Sequence, residues 1–374
     1  MKNRFYFLLI CSLFLNQSCN MKTEIKLLNK NDFFKNINGK ETTIYVLKNR
    51  NGLVSEITNY GARVVSLWVP DNNGNFDDIV LGFDNIDDYI NAKEKYFGAT
   101  IGRYGNRIKE GKFIINDKEY SLKKNNGLNH LHGGNMGFGD VVWNAKQIDN
   151  QTLELNYFSK NMEEGYPGNL NVKIIYHLNN NDELKIEYFA KTDESTHVNL
   201  THHSFFNLLG AGNETINEHL LYINANSFTP VDETLIPTGN IELVANTPFD
   251  FSLPTAIGKR INLDNNQLNY GKGYDHNYVL NNSQSEEIIA AKVFEKESGR
   301  TLEVYTNEPG MQFYGGNFLS GTIGKHDKSY KKRAAFCLET QHFPNSPNQD
   351  NFPSTLLKPN EEYYSICIYK FSTN

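Results

Sequence analysis

The sequence predicts an all-β fold, a large antiparallel β-sandwich. Short segments in which apolar and polar residues alternate recur along the chain, separated by Asn, Asp and Gly. The chain is rich in strand-forming aromatic residues, with 24 Phe and 21 Tyr among 374 residues. Only the segment NIDDYINAKE (85–94) has the spacing of a helix, and it is short.

The predicted strands follow one another as hairpins. The turns between them carry Asn, Asp or Gly, which readily adopt tight-turn backbone conformations. In the hairpin at 171–192, Leu184, Ile186 and Tyr188 alternate with polar residues beyond a turn at 179–182. No fixed-period repeat or low-complexity linker interrupts the sequence, which favours one domain. The predicted strand segments lie at 42–49, 52–71, 112–122, 171–192, 290–306 and 363–371.

The first 18 residues have the pattern of an export signal. Lys2 and Arg4 precede an apolar run from residue 5 to residue 15, and Ser18 then precedes Cys19. The run is shorter than the roughly 20 apolar residues that span a bilayer. A small residue directly before a cysteine resembles the signal of a bacterial lipoprotein, in which the cysteine is lipidated. Ordinary secretion, with Cys19 incidental, is the alternative.

This pattern divides the chain into three parts. Residues 1–18 are predicted to be a lipoprotein-type signal peptide, 19–39 an N-terminal tether, and 40–374 the functional domain. We therefore expect an exported protein of a bacterial cell envelope, either periplasmic or anchored in the membrane through lipidated Cys19.

Charge and cysteine content narrow the classes of partner. The net charge is −6 and the basic residues form no stripe, so nucleic acid is not an expected partner. Membrane contact is expected only through the lipid anchor.

Beyond the signal the chain has two cysteines, Cys337 and Cys367. They suit either a disulfide or two buried thiols, and their spacing is not that of a metal site.

Polar residues suited to chemistry gather in a few segments. One of them, THHSFFNLLG (201–210), contains adjacent histidines. Successive side chains of a strand point to opposite faces, so His202 and His203 cannot share one site. By the same rule, His130 and His132 share a face if their segment is extended. The other segments are 101–113, 129–134, 273–280, 311–319 and 337–349.

The residue types and spacings leave three interpretations of these histidines open. Each can be a hydrogen-bonded structural residue. His130, His132 and His203 could instead bind zinc together with Glu339, because His-x-His on a strand is a known ligand spacing. A histidine could also work with a carboxylate in metal-free acid–base catalysis.

In order and spacing, these segments resemble the aldose 1-epimerase (galactose mutarotase) family. The matching blocks fall within residues 40–371 and include YFGATIGRYGNRI, LHGG, THHSFFNL, YDHNYVL, QFYGGNFL and CLETQHFPNSPN. The resemblance implies the galactose mutarotase-like supersandwich fold. It implies an isomerase without cofactor or metal that interconverts the α and β anomers of hexopyranoses such as galactose and glucose. The expected partner is a small-molecule sugar, and the oligomeric state stays open.

The resemblance also implies roles for individual residues. His203 matches the proton donor, Glu339 the base, and His132 a second active-site histidine that contacts the sugar near its ring oxygen. His202 is then expected to pack or hydrogen-bond on the opposite face. The matched sugar-binding positions are Asn106, Arg107, Asp275 and Gln312.

Three other functions are compatible with parts of the sequence. An epimerase of a modified or phosphorylated sugar would need extra basic residues near the pocket. A glycoside hydrolase or lyase would usually need two acidic residues around the scissile bond, whereas the matched pair is a histidine and a glutamate. A non-catalytic, glycan-binding surface lipoprotein would not need that pair.

Catalysis at neutral pH is expected to need a charged His203 and an ionised Glu339 together.

Overall fold

The computed structural model describes residues 25–213, 215–281 and 286–373. Within these residues the chain is built mostly from antiparallel strands, so the predicted all-β fold is confirmed. The predicted signal peptide and Cys19 lie outside the described residues. No helix in the described ranges is long and apolar enough to cross a membrane.

The largest sheet has nine strands within the described residues. Its two longest neighbouring hairpin strands alternate between buried and more exposed residues, as a sheet with one buried face requires. Leu184, Ile186 and Tyr188 are buried, which confirms the alternation expected for 171–192. In spatial order the strands are Asn144–Gln147, Thr152–Ser159, Leu170–Leu178, Glu183–Thr192, Tyr363–Thr373, Arg300–Thr306, Ala291–Phe294, Leu220–Ile223 and Thr255–Ala256.

Two smaller sheets complete the main framework. One has five strands and the other four, counted over the described residues. One hydrophobic cluster draws side chains from all three sheets, for example Val64, Ile174 and Met311, so the sheets pack around a common core. The five strands are Glu242–Leu243, Ala225–Thr229, Asp275–Leu280, Gly310–Tyr314 and Cys337–Gln341, and the four are Ile44–Lys48, Val54–Thr58, Arg63–Pro70 and Phe76–Asp78.

Short strand pairs link these sheets. The predicted hairpin at 112–122 is confirmed, with a turn at Asn116 and Asp117, which both have positive φ. The strand with the histidine doublet, Thr201–His203, pairs with Ala99–Ile101. The strands of the hairpin at 112–122 are Lys112–Ile115 and Lys118–Ser121. The other pairs are Lys35–Ile37 with Lys40–Thr42, Arg107–Ile108 with His130–Leu131, Thr196–His197 with Leu356–Leu357, and Thr322–Ile323 with Ser329–Tyr330.

The helices are short. The helix expected at 85–94 is confirmed as Ile86–Asn91, and the Asn85 side chain accepts a hydrogen bond from the amide of Asp88. A second α-helix, Asn266–Gly271, has no counterpart in the sequence-based prediction, because Leu268 is its one buried apolar side chain and sets no apolar spacing. Single 3-10 turns lie at Lys30–Phe33, Lys109–Gly111, Phe138–Asp140, Glu163–Gly165, Ile216–Glu218, Ile257–Lys259, Lys325–Asp327 and Ser346–Asn348.

Part of the segment predicted as a tether at 19–39 packs against the domain. Phe33 is fully buried in a hydrophobic cluster, and its carbonyl accepts a hydrogen bond from the Thr42 hydroxyl at 2.7 Å. The amide of Leu28 donates to Glu56 Oε1 at 2.9 Å. A single aromatic anchor produces no periodic pattern, which is why the sequence does not reveal this contact.

The two cysteines of the domain are free thiols. Cys337 and Cys367 are both buried and unbridged. Of the two alternatives that the sequence left open, the structure therefore shows buried thiols, and burial raises the pKa of both.

Candidate active site

A cavity of about 610 Å³ opens beside the histidine doublet. It collects residues from segments far apart in the chain, because several strand ends and loops converge here. Its volume suits a small ligand. The predicted site residues that line it are Asn106, Arg107, His132, His203, Asp275 and Glu339.

The predicted acid and base are neighbours in this cavity. His203 ends the strand Thr201–His203, and Glu339 is the central residue of Cys337–Gln341. His203 Nε2 lies 3.5 Å from Glu339 Oε1, and the two side chains are 6% and 2% exposed. The other carboxyl oxygen, Glu339 Oε2, is buried and has no hydrogen-bond partner in the described part of the chain. A ligand hydroxyl could supply that partner.

The other histidine of the doublet faces the core, as expected. His202 Nε2 lies 2.7 Å from the hydroxyl of Ser204, and Nδ1 lies 3.4 Å from the hydroxyl of Tyr176. Burial lowers the pKa of His202 to about 3, so its ring is neutral. The alternation of the strand thus separates a structural histidine from a cavity histidine.

Burial sets the protonation of the cavity pair. It lowers the pKa of His203 to about 3, and the positive charge of Arg63 acts in the same direction. It raises the pKa of Glu339 well above its usual range, and the negative charge of Asp275 adds to that rise. Burial therefore does not favour the expected charged pair of imidazolium and carboxylate. Burial favours a neutral imidazole beside a carboxylic acid, with one proton in the pair.

Two backbone hydrogen bonds hold His132. Its Nδ1 accepts from the amide of Asn106 at 3.1 Å, and its own amide donates to the Asn106 carbonyl at 3.1 Å. Burial holds the pKa of His132 well below its usual value, so the ring is neutral and carries its proton on Nε2. Gly133 follows with φ +85°, and a Cβ there would lie 1.7 Å from the carbonyl oxygen of Gly102. His132 is thus held as a hydrogen-bond donor.

The predicted sugar-binding residues divide into two kinds. Asn106, Arg107 and Asp275 line the cavity, and Arg107 Nε donates to Asn126 Oδ1 at 3.1 Å. Gln312 is not part of the cavity wall; its amide donates to Asp275 Oδ1 at 2.7 Å. The structure thus places Gln312 beside Asp275, and its expected contact with the sugar stays a prediction. Neighbouring strands carry these two side chains, which the sequence does not show.

The zinc site considered from the sequence does not form from its four residues. His132 has φ +52°, so the segment is not extended, and His130 Nε2 lies 2.7 Å from the hydroxyl of Tyr166 instead. Ligand atoms of His132, His203 and Glu339 do lie within 4.8 Å of one another. However, His132 Nδ1 accepts a backbone hydrogen bond and its Nε2 carries the proton, so neither nitrogen offers a free lone pair. The protonation of His132 therefore favours acid–base chemistry over zinc binding by His132, His203 and Glu339.

Aromatic and acidic residues that no sequence pattern singled out complete the wall. Tyr96, Phe205 and Tyr314 line the cavity, and each lies in one of the matched blocks, which is the signal that points to them. Glu94 also lines it, and burial raises its pKa to about 7. Their positions depend on how the loops fold over the sheets, which local spacing does not determine.

Known proteins of similar sequence are named galactose mutarotase or aldose 1-epimerase. Residues 43–370 match the sequence profile of the family described as aldose 1-epimerase. The galactose mutarotase of Bos taurus is 46% identical over 318 residues, which cover 85% of this chain and 90% of that protein. The aldose 1-epimerase of Escherichia coli K12 is 33% identical over 335 residues, or 89% of this chain and 96% of that protein.

Solved structures show the same fold. An aldose epimerase homologue from C. elegans superimposes with a TM-score of 0.82 at 30% identity, covering 89% of this chain and 99% of its own. Galactose 1-epimerase from Lactobacillus acidophilus gives a TM-score of 0.81 at 27% identity, covering 91% and 97%. The predicted mutarotase-like sandwich is therefore confirmed.

The β-sandwich, its polar cavity and these matches define a sugar isomerase, an enzyme that interconverts anomers. The chain belongs to the aldose 1-epimerase family, because the match extends over nearly the whole domain. The resemblance seen in the sequence segments is thereby confirmed.

Proposed function

We propose that this chain interconverts the α and β anomers of free, uncharged hexopyranoses such as galactose and glucose, with His203 as the acid and Glu339 as the base. The observation that carries the proposal is the unpartnered Glu339 Oε2, beside an imidazole 3.5 Å from Oε1. An unsatisfied buried polar atom costs about 1–3 kcal/mol, which a sugar hydroxyl would recover. The relatives named galactose mutarotase and aldose 1-epimerase support this substrate class.

The reaction opens and recloses a hemiacetal. Glu339 removes the proton of the O1 hydroxyl while His203 protonates the ring oxygen O5, and the C1–O5 bond breaks. The open aldehyde rotates about the C1–C2 bond, and the pair then reverses its roles to close the ring on the other face. Each positioned acid or base contributes about 10²–10⁴-fold to such a step.

The protonation of the pair suits this cycle. Ring opening starts from imidazolium and carboxylate and ends with neutral imidazole and carboxylic acid, so the pair holds one proton throughout. Burial of His203 and Glu339 favours neutral imidazole and carboxylic acid, the state that accompanies the open-chain aldehyde. Hydrogen bonds from the bound sugar have to stabilise imidazolium and carboxylate, the state from which ring opening starts.

Residues around the pair hold the sugar while C1 turns. Neutral His132 donates from Nε2, and Arg107 donates from its guanidinium. Asp275, which is held by the Gln312 amide at 2.7 Å, accepts from sugar hydroxyls. Charge-assisted hydrogen bonds of this kind are short and directional, so they keep the rest of the sugar in place.

The charge of the cavity disfavours an epimerase of phosphorylated sugars. Among the described residues, four carboxyl groups line it, from Glu94, Glu233, Asp275 and Glu339, against one guanidinium, that of Arg107. A phosphate dianion would be repelled by the ionised acids and find one strong cationic partner. Neutral sugars avoid this repulsion.

Polarimetry tests the proposal. The purified protein is added to fresh α-D-glucose and α-D-galactose, and the optical rotation is followed against a buffer blank. We expect acceleration by the wild type, and loss of turnover with sugar binding retained in Glu339→Gln. No acceleration with either sugar would contradict the proposal and favour an epimerase of a modified sugar or a glycan-binding protein. An active Glu339→Gln variant would refute the assignment of the base.

Export through the N-terminal segment is also part of the proposal. Its support is the sequence of residues 1–19 alone. An envelope enzyme would equilibrate anomers that extracellular hydrolases release before the sugar is taken up. Metabolic labelling with a fatty-acid analogue should mark the wild type and leave Cys19→Ser unlabelled. Recovery of unlabelled wild type in the cytosol would contradict export.

A further inference from the structure

Among the described residues, none orients the ring of His203 through a hydrogen bond. Catalytic histidines are commonly held by a partner on the nitrogen that does not react. Here Nε2 faces Glu339, and Nδ1 is buried without a partner in any other described residue. The strand fixes Cβ of His203 but leaves rotation of the ring about its own torsion free. Another contact must therefore hold the plane of the imidazole.

Two aromatic rings lie nearly parallel to that imidazole. The ring centroid of Tyr96 is 5.6 Å from it and that of Phe205 is 4.8 Å from it, each with an interplanar angle of 19°. Tyr96 also contacts the second cavity histidine, with 4.6 Å between its centroid and that of His132. Stacked rings have to separate before the imidazole can turn, so they restrict its rotation.

Tyr96 is itself held by the residues around it. The guanidinium of Arg63 donates to the carbonyl of Lys95 at 2.6 Å and to that of Phe97 at 3.1 Å. These are the residues directly before and after Tyr96. The amide of Tyr96 donates to Glu94 Oε1 at 3.2 Å. Arg63 is fully buried, so a movement of this loop would leave its charged guanidinium without these two hydrogen-bond acceptors, which is energetically costly.

Phe205 is fixed by its place in the core. It is 1% exposed and packs edge-on against Phe97 and Tyr314, with ring centroids 4.9 and 5.9 Å away. Its ring centroid lies 4.8 Å from that of His203, and the edge-on contacts keep the Phe205 ring in this place. This arrangement suits a positioning role.

We infer that Tyr96 and Phe205 are positioning residues that hold the catalytic imidazole of His203 by stacking, in place of a hydrogen-bonded orienting group. The inference rests on the proposed role of His203 as the acid. Stacking also has an electrostatic effect. Aromatic faces attract cations, so the two rings stabilise the imidazolium from which ring opening starts. An aliphatic side chain at either position removes both effects.

Two substitutions of Tyr96 separate stacking from other roles. We expect Tyr96→Phe to keep kcat within about twofold, and Tyr96→Leu to lower kcat about ten- to a hundredfold with little change in KM. In the sugar-free protein, the ring-current shift of the His203 proton on Cε1 should persist in Tyr96→Phe and be reduced in Tyr96→Leu. A rise in KM alone would make Tyr96 a sugar-binding residue and overturn the inference.

Phe205→Leu gives a second test with a matched control. Phe83→Leu removes the same ring from the same cluster, where Phe83 packs against Tyr89 and Phe97. Both variants should lose similar stability, and Phe205→Leu should lose at least about tenfold more kcat. Equal kcat values would overturn the inference. If the wild type does not accelerate mutarotation, the proposed function fails, and the ring-current measurement still decides whether stacking holds His203.

Discussion

His203 Nε2 and Glu339 Oε1 lie 3.5 Å apart, and both side chains are almost completely buried. An acid and a base at this distance do not titrate independently, so their protons belong to the pair. Between the lowered pKa of His203 and the raised pKa of Glu339, the pair carries one proton. Acid–base ring opening uses that proton.

The pair predicts a bell-shaped pH dependence of kcat/KM. Below the pKa of His203, which burial lowers to about 3, both groups are protonated and Glu339 cannot accept the O1 proton. Above the pKa of Glu339, which burial raises, no proton remains for O5. Activity should therefore fall as pH rises through the raised pKa of Glu339. Polarimetry from acid to alkaline pH measures this. An activity rise centred on the ordinary glutamate value, about 4.3, would contradict it.

The location of the proton is also measurable in the sugar-free protein. Near pH 7, the infrared difference between wild type and Glu339→Gln should contain the band of a protonated carboxyl, because burial opposes the charged form. The same difference for Glu303→Gln should contain only a carboxylate band, because, against the effect of burial, hydrogen bonds from Lys292 and Tyr305 lower the pKa of Glu303. A carboxylate band for Glu339 would show that the charged pair is already present before sugar binds.

The doublet provides its own control. His202→Leu should lower the free energy of unfolding by about 1–3 kcal/mol, because it leaves the Ser204 hydroxyl buried without its partner. Its kcat should stay near the wild-type value, since His202 faces away from the cavity. His203→Leu should show the reverse, a large loss of kcat with little loss of stability. Urea denaturation and polarimetry on both variants measure this; a stable but inactive His202→Leu would show that the roles are exchanged.

Gln312 should act on KM through Asp275. Gln312→Leu removes the hydrogen bond that holds Asp275 Oδ1 at 2.7 Å, and a hydrogen bond to a charged group contributes about 1.5–3 kcal/mol. We expect KM to rise about tenfold or more, with a smaller effect on kcat. Steady-state polarimetry with both sugars separates the two constants. An unchanged KM would mean that Asp275 does not need this support.

Buried His276 should make the fold sensitive to acid. Its Nδ1 accepts from the Asp275 amide and its Nε2 lies 3.2 Å from Gln267 Oε1, so the neutral ring satisfies both contacts. Burial lowers its pKa to about 3. Its contribution to stability is therefore present above the unfolded pKa and is lost as pH falls below it. The stability advantage of wild type over His276→Gln should shrink by up to about 1.4 kcal/mol per pH unit below about 6.5.

Urea titrations of the two proteins at several pH values test this. A constant difference between wild type and His276→Gln would contradict the buried neutral ring. His342 provides a comparison of opposite sign, because Glu308 beside it raises its pKa against the effect of burial. The contribution of His342 is present at low pH and is lost as pH rises through its folded-state pKa.

Local patterns were enough for much of the fold. The hairpins at 112–122 and 171–192 follow from alternation and turn residues, which are properties of neighbouring positions. The buried anchor Phe33 and the helix Asn266–Gly271 did not emerge, because each depends on packing against residues distant in the chain.

At the site, the alternation of side chains along a strand is enough to predict that His202 and His203 face opposite ways. The packing of distant segments is needed to turn His130 away from His132, to bring Gln312 beside Asp275 and to stack the ring of Tyr96 on His203. Alternation is a local consequence of backbone geometry. Distances, burial and the resulting pKa shifts arise where segments far apart in the chain pack together.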